Sequence, residues 1–267
     1  MLPVDPTLTF ETDGTFGALL AAYAEAHRRR ALPADVRLVG APASGALFGE
    51  TVATPASEAL AARVERGLER AHKGLVGRLR RAFLSERPGM DVAILRLVDA
   101  VAHRGADVTD DWTFEPARDV ARWAQRVGRE AHRMEAFVRF ERIESGDRDV
   151  ESFVARIRPE YHVLPILPAH FEARYPTLAW HIVDVRRGLA LVHTPGPTRE
   201  ADAPASRLVP TSALDLPESR SADEEQYQRM WKAYFRAVTI PERRNLALHL
   251  RHVPKRYWPY LIEKQTA

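Results

Sequence analysis

The chain contains no cysteine, which excludes several kinds of site at once. Disulfide bonds, thiolate nucleophiles, zinc fingers and cysteine-ligated iron–sulfur clusters all require that residue. A metal ion would have to be held by histidine or carboxylate ligands. We therefore expect this chain to carry no cofactor of its own.

Long apolar runs are also missing from the sequence. A membrane span needs about 18 consecutive apolar residues, and no stretch of the chain approaches that length. The first residues, MLPVDPTLTFETDG, carry acids where a secretory signal peptide has a basic start followed by an apolar segment. We expect a cytoplasmic protein that does not associate with membranes.

Lysine is scarce, at four of the 39 basic residues, and the other 35 are arginine. Because arginine is common along the whole chain, its presence in a segment is a weak indicator of phosphate binding. The distribution of charge is more informative than its total, because the net charge of the whole chain is only +3. Between Gln226 and Tyr260 the chain has eight basic residues and one acidic residue, a net charge of +7. The same window holds seven of the 22 aromatic residues. Positive charge and aromatic rings therefore rise together near the C-terminus.

Hydrophobic periodicity predicts an α+β fold. Up to Met134 the 3.6-residue period dominates, and helices are predicted at Phe16–Arg30, Ser57–Leu84 (one helix, or two broken near Gly74 or Gly77), Met90–His103 and Pro116–Met134. The period then changes to two, which predicts strands at Ala136–Ile143, Ser152–Ile157, Leu178–Val185 and Gly188–His193, with a short helix at Pro168–Tyr175. Thr15 is the expected N-cap of the first helix, and the last two strands are expected to form a hairpin around Arg186 and Arg187. The order of elements indicates a small antiparallel sheet with a helix on one face.

Composition divides the chain into four ranges. They are a mostly helical N-terminal region (1–110), a central α+β region (111–195), a proline-rich linker or loop (196–220) and a basic, aromatic, helical C-terminal segment (221–267). The last segment opens with a capping-box signature at Ser221. On the helix that follows, Tyr227 and Trp231 are expected to face the core, and Arg229 and Lys232 to face outward.

The stretch HVPKRYWPYL, residues 252–261, places two cations among three large rings. We expect the rings to anchor the tail, and Lys255 and Arg256 to project towards phosphate or a partner. Cations that neutralise phosphates, interleaved with rings that stack on exposed bases, are typical of nucleic-acid binding.

Four segments together resemble a bacterial family of proteins assigned to DNA metabolism and DNA repair, built around a domain of unknown function. The segments are MWKAYFRAVTIPERRNLALHLRHVPKRYWPYLIEKQ, HRMEAFVRFER, YHVLPILPAHFEARY and TFETDGTFGALLAAYAEAH, and they span most of the chain. That family is often encoded beside a radical S-adenosylmethionine (SAM) protein, and its domain can be fused to uracil-DNA glycosylase-type modules. The resemblance implies DNA and a radical SAM protein as partners. It implies no known reaction.

The segments that carry the resemblance also supply a candidate polar site. His132, His162 and His170 are candidate general acids or bases, with Asp184 as a base or as the group that orients a histidine. The opposing interpretation is structural, with hydrogen-bonded histidines and an ion pair between Arg139 and Asp184 across the sheet. HExxH, GxGxxG, P-loop and GxSxG motifs are absent. The candidate nucleic-acid-binding residues are Arg139, Arg174, Arg229, Lys232, Arg236, Arg243, Arg244, Arg251, Lys255, Arg256, Tyr257 and Trp258.

Three functions remain open on the sequence. The first is a DNA-binding accessory protein that presents damaged or single-stranded DNA to a radical SAM partner. The second is a nucleic-acid-processing enzyme, glycosylase-like or nuclease-like, that uses the His and Asp residues. The third is a protein-interaction module whose aromatic tail docks the partner. We rank them in this order, because the first uses both the charged window and the resemblance.

Overall fold

The computed structural model describes residues 1–40, 49–143, 152–196, 205–214, 222–238 and 246–265. The chain forms two compact units, residues 1–128 and 129–267. Helices and two β-sheets are present, which confirms the predicted α+β class. No helix in these ranges is long and apolar enough to cross a membrane.

The first unit opens with a three-stranded parallel sheet in the order β2-β1-β3. The strands are β1 (Val4–Thr12), β2 (Leu32–Leu38) and β3 (Glu50–Ala53). β1 and β2 are parallel because helix α1 (Phe16–Arg29) carries the chain back between them. As the sequence predicts, Thr15 caps α1, and its Oγ1 accepts a hydrogen bond from the Ala18 N–H at 3.1 Å.

Helices complete the first unit and bury its apolar residues. They are α2 (Glu58–Ala71), α3 (Leu75–Phe83), α4 (Met90–Arg104) and α5 (Glu115–Phe137), with a 3₁₀ helix at Ala106–Asp110. The predicted break near Gly74 is confirmed: this residue has φ of 82°, a left-handed conformation that glycine adopts without strain, and it separates α2 from α3. The boundary between the two units, at residue 128, lies within α5.

The second unit contains a five-stranded sheet in the order β4-β5-β6-β7-β8. The strands are β4 (Glu141–Ile143), β5 (Ser152–Ile157), β6 (Ala179–Asp184), β7 (Leu189–His193) and β8 (Ser206–Pro210). The predicted hairpin around Arg186 is confirmed by the antiparallel pairing of β6 with β7. The expectation of a wholly antiparallel sheet is wrong, because β5 and β6 are parallel. The connection between them contains helix α6 (Pro168–Arg174), which makes it a crossover instead of a hairpin.

Two further differences from the predicted elements change the edges of this sheet. α5 continues to Phe137, so the strand predicted from Ala136 begins only at Glu141. β8 lies inside the range that composition assigns to a linker, and it pairs antiparallel with β7. Short proline-rich strands at sheet edges are difficult to recognise from sequence, because their pairing is set by the neighbouring strand.

Aromatic packing forms much of the core of the second unit. Trp180 on β6 is buried, and its indole stacks on the His193 ring with centroids 4.8 Å apart. Phe140 and Phe171 contact the same indole at 6.0 and 5.9 Å. The remaining elements are α7 (Ala222–Val238), α8 (Leu246–His252) and 3₁₀ helices at Leu164–Ile166, Thr211–Ala213, Lys255–Tyr260 and Ile262–Lys264.

Candidate nucleic-acid interface

The C-terminal tail is anchored in the second unit by its aromatic residues, in agreement with the sequence pattern. Prolines at 254 and 259 restrict the backbone of the 3₁₀ helix Lys255–Tyr260. The Tyr257 ring is buried, and Trp258 Nε1 donates a hydrogen bond to the Val253 carbonyl oxygen at 3.1 Å. The rings hold the tail in place, while the two cations of the same run have different environments.

Arg256 is paired with a buried carboxylate. The Glu130 side chain, on α5, is 1% exposed, and its Oε2 lies 2.8 Å from Arg256 Nη2. Its Oε1 accepts the backbone N–H of Glu160 at 2.8 Å. Because a buried charge is stable only when it is paired, the guanidinium of Arg256 stabilises the position of the tail. Glu130 is therefore the partner of Arg256 in the structure, and a contact of Arg256 with phosphate stays a prediction.

Tyr257 completes this buried cluster. Burial raises the pKa of its phenol above the ordinary value of 10, and the neighbouring Glu130 carboxylate raises the pKa further, against the opposing effect of Arg256. The phenol therefore stays protonated and hydrogen-bonds Glu130. Tyr257, predicted to contact nucleic acid, is buried among these groups.

The aromatic face of α7 is not buried as predicted, whereas Arg229 is exposed as predicted. Glu224 and Gln228 are buried: Gln228 Nε2 donates to Glu224 Oε1 at 2.9 Å, and Glu224 Oε2 accepts the Arg142 backbone N–H at 3.1 Å. Tyr227 is 64% exposed and Trp231 is 39% exposed. A polar contact to β4 therefore determines which face of α7 is buried, and the helix presents Tyr227 and Trp231 to solvent.

Contacts through Glu263 join α7, the tail and the segment between α5 and β4 into one surface. Trp231 Nε1 donates to Glu263 Oε2 at 3.1 Å, and Arg139 Nη2 lies 3.9 Å from Glu263 Oε1. The next residue, Lys264, places its Nζ 5.6 Å from the centre of the Trp258 ring. The C-terminal surface, as the term is used below, consists of Arg139, Tyr227, Trp231, Trp258 and Lys264.

The other cations predicted to bind nucleic acid differ in their exposure to solvent and in their ion pairs. Arg251 and Lys255 are exposed, and neither has a carboxylate partner among the residues that the structure describes. Lys232 is half-buried, and Arg229 lies 3.8 Å from Glu225 in an exposed pair. Arg174 is exposed, and its Nε donates to the Tyr175 hydroxyl at 3.1 Å. The predictions for Arg243, Arg244 and the side chain of Arg236 lie outside the described residues.

Asp184, predicted as a catalytic carboxylate, serves the β6–β7 turn. It is fully buried, its Oδ2 lies 2.8 Å from Arg187 Nη1, and its Oδ1 accepts the backbone N–H of Arg186 at 3.0 Å. The expected ion pair between Arg139 and Asp184 is wrong, because each has a different partner. The ion pair with Arg187 and the hydrogen bonds to the turn explain why Asp184 is buried at this position, and they require no catalytic role for it.

The three candidate histidines lie in different surroundings. His132 is 86% exposed on α5, with Nδ1 3.3 Å from Glu135 Oε2. His170 is half-buried on α6 with its ring against Phe171, and His162 is half-buried ahead of the 3₁₀ helix Leu164–Ile166. No group of three histidine or carboxylate side chains in the described ranges is placed to hold a metal ion.

Sequence reasoning missed the two carboxylates that organise this region, Glu130 and Glu263. Both occur in charged segments, where an acid ordinarily indicates a solvated helix face. Trp231 was assigned to the core for a similar reason, since rings at helical spacing are usually buried. For Glu130 the sequence offers one signal, because Val127 and Met134, about one helical turn away on either side on α5, are apolar.

A family model, the domain of unknown function DUF4130, matches residues 88–263. No curated protein and no solved structure matches the chain. The matched range covers most of the chain and every residue of the C-terminal surface except Lys264. The protein therefore belongs to the DUF4130 family of domains of unknown function.

Proposed function

We propose that this protein binds DNA through the C-terminal surface and acts in DNA metabolism or repair. The observation that carries the proposal is the pair of exposed rings on α7, Tyr227 and Trp231, one helical turn apart beside a strongly basic segment. Exposed large rings are costly in water, and two at this spacing form a platform of the kind on which unpaired bases stack.

The exposed cations of the C-terminal segment support the same ligand. Arg251 and Lys255 are exposed, and Lys264 lies on the surface itself. Cations of this kind bind phosphates with release of counterions, so the affinity must fall steeply as salt rises. A single strand is favoured over a duplex, because only unpaired bases offer their faces to Tyr227 and Trp231.

A radical SAM enzyme is the partner that the family resemblance implies. A radical SAM cluster is ligated by cysteines, and this chain has none, so any radical step belongs to the partner. In this proposal the chain presents damaged or single-stranded DNA to that enzyme in the cytoplasm.

Fluorescence anisotropy with labelled oligonucleotides tests the proposal. Single-stranded, duplex and uracil- or photoproduct-bearing DNA are titrated with the full chain over a series of salt concentrations. We expect tight binding at low salt and a preference for single strands. Each lost phosphate contact should reduce the salt slope by about 0.7 on a single strand.

Two matched charge-reversal variants distinguish DNA binding at the C-terminal segment from nonspecific electrostatic attraction between DNA and the whole protein. Arg251→Glu reverses an exposed cation of α8, and Arg66→Glu makes the same charge change at an exposed position of α2 in the first unit. We expect the first to weaken binding and flatten its salt dependence, and the second to have little effect. Equal effects of the two variants would contradict a C-terminal interface.

A protein-interaction module is the second candidate, and exposed apolar side chains favour it. Met230 on α7 and Leu246 and Leu248 on α8 are about half exposed or more, and apolar groups contribute nothing to phosphate binding. If this function is correct, capture of the radical SAM partner will survive high salt, single-stranded DNA will not compete, and Met230→Glu will abolish capture.

A further inference from the structure

An open cleft in the first unit has the composition of a nucleotide site. Its volume is about 500 Å³, within the range of roughly 300–1,000 Å³ that is usual for small-ligand pockets. It lies between α3, the loop after the 3₁₀ helix Ala106–Asp110, and the first half of α5. The lining residues that matter here are Arg78, Thr109, Trp112, Arg118, Arg122 and Gln125.

Trp112 provides an aromatic platform at this cleft. Its side chain is 66% exposed, yet the loop that carries it is fixed. Asp111 Oδ1 accepts hydrogen bonds from the Thr113 N–H at 3.0 Å and the Thr113 hydroxyl at 2.5 Å, and Arg118 Nη1 donates to the Trp112 carbonyl oxygen at 3.4 Å. A large exposed ring on a preorganised loop suits stacking on a planar, aromatic ligand.

The charges of the cleft suit one phosphate better than a run of phosphates. Asp110 and Asp111 also line it, so three arginines leave a formal charge of only +1. Arg78 lies 3.4 Å from Asp110, and Arg122 lies 3.0 Å from Asp119. Arg118 has no carboxylate partner among the described residues, which leaves its guanidinium available for a phosphate.

Thr109 gives an independent indication of a ligand. Its side chain is buried, at 3% exposure for the residue, and its Oγ1 has no hydrogen-bond partner among the described residues. A buried hydroxyl without a partner is destabilising. The Oγ1 atom is covered in the free protein, so a ligand atom in the cleft reaches it once the Thr109 side chain rotates, whereas the exposed Gln125 amide on the cleft lining already offers a donor and an acceptor.

We propose that this cleft binds a single nucleotide, with its base stacked on Trp112 and its phosphate on Arg118. The nucleotide is either an unstacked residue of a DNA strand or a free deoxynucleoside monophosphate. The first source rests on the proposed function, since it requires that the protein binds DNA.

Two titrations of the full chain test the cleft and distinguish the sources. The first measures binding of dTMP, and of thymidine without the phosphate, by isothermal calorimetry. Trp112→Ala should weaken dTMP binding by about 5- to 150-fold, the loss expected for one stacking ring. Arg118→Gln should bring the affinity for dTMP down to that for thymidine. Thr109→Val should weaken both ligands, whereas Thr109→Ser, which keeps the hydroxyl, should not.

The second titration uses a single-stranded oligonucleotide that contains one 2-aminopurine, whose fluorescence depends on what its ring stacks on. A change in that fluorescence with the parent protein that is lost with Trp112→Ala identifies a DNA strand as the source. Binding of dTMP that depends on Trp112, without any binding of the oligonucleotide, identifies the free nucleotide and overturns the proposed DNA function alone. Oligonucleotide binding that Trp112→Ala leaves unchanged, with no binding of dTMP, overturns the cleft alone. Circular dichroism melting confirms that each variant is folded.

Discussion

The role of Arg256 can be decided by one substitution, because the fold and the sequence assign it different partners. Arg256→Met removes the cation that pairs with Glu130 at 2.8 Å and leaves a carboxylate that is 1% exposed. Loss of one partner of a buried pair costs about 3–5 kcal/mol. Arg256 is itself 34% exposed, and Arg133 Nη1 also lies 3.5 Å from the same carboxylate oxygen, so we expect the lower end, about 3 kcal/mol.

Urea unfolding followed by circular dichroism measures this loss. With a slope of about 3 kcal/mol per molar, a loss of about 3 kcal/mol lowers the midpoint by about 1 M. Glu130→Gln in the Arg256→Met background removes a buried charge that has lost its nearer cation, and it keeps an acceptor for the Glu160 N–H. The double variant should therefore be more stable than Arg256→Met alone, and the double-mutant cycle gives the coupling.

A different outcome would refute this reasoning. If Arg256→Met unfolds within about 0.5 kcal/mol of the parent, as surface substitutions do, the pair with Glu130 does not stabilise the tail. If the same variant also loses affinity for single-stranded DNA, Arg256 is a phosphate contact, as the sequence pattern predicted.

Three further outcomes follow from the described contacts. Burial, reinforced by the Asp35 charge, raises the pKa of Asp91 to about 6. The folded state then binds more protons than the unfolded state between about pH 4 and pH 6, so stability falls as the pH rises through that window. Asp91→Asn should remove this slope and stabilise the protein above pH 6 by up to about 3 kcal/mol, as thermal melts across the pH range will show. Trp180→Ala should cost about 3–5 kcal/mol in urea unfolding, because the indole is buried against His193 and two phenylalanine rings. Tyr227→Ala should change stability by less than about 0.5 kcal/mol while weakening single-strand binding in anisotropy titrations.

Local patterns predicted the helices of the first unit and the β6–β7 hairpin, because caps, helix breaks and periodicity depend on residues that are close together in the sequence. Thr15 and Gly74 are examples, one starting a helix and the other separating two. The parallel pairing of β5 with β6 could not be predicted in this way. It depends on the path of the chain through α6, and strand pairing is a long-range choice.

The sequence predicted which residue types the candidate site contains, but it did not predict which side chains contact one another. The basic, aromatic segment is present, yet Arg256 pairs with a carboxylate 126 residues earlier in the chain, and no pattern in the sequence specifies that partner. The sequence pattern wrongly predicts that Tyr227 and Trp231 are buried, for a related reason. An amphipathic wheel assumes that rings are buried, whereas here Glu224 and Gln228 reach β4 and are buried in their place.

Ultraviolet crosslinking of the full chain to a single-stranded oligonucleotide, followed by mass spectrometry of the crosslinked peptides, tests the central proposal most directly. Aromatic residues that stack on bases crosslink efficiently, so the C-terminal surface predicts crosslinks at Tyr227, Trp231 or Trp258, and their loss at high salt. Crosslinks confined to residues other than Arg139 and the range 222–265, or none at low salt, would contradict DNA binding through this surface.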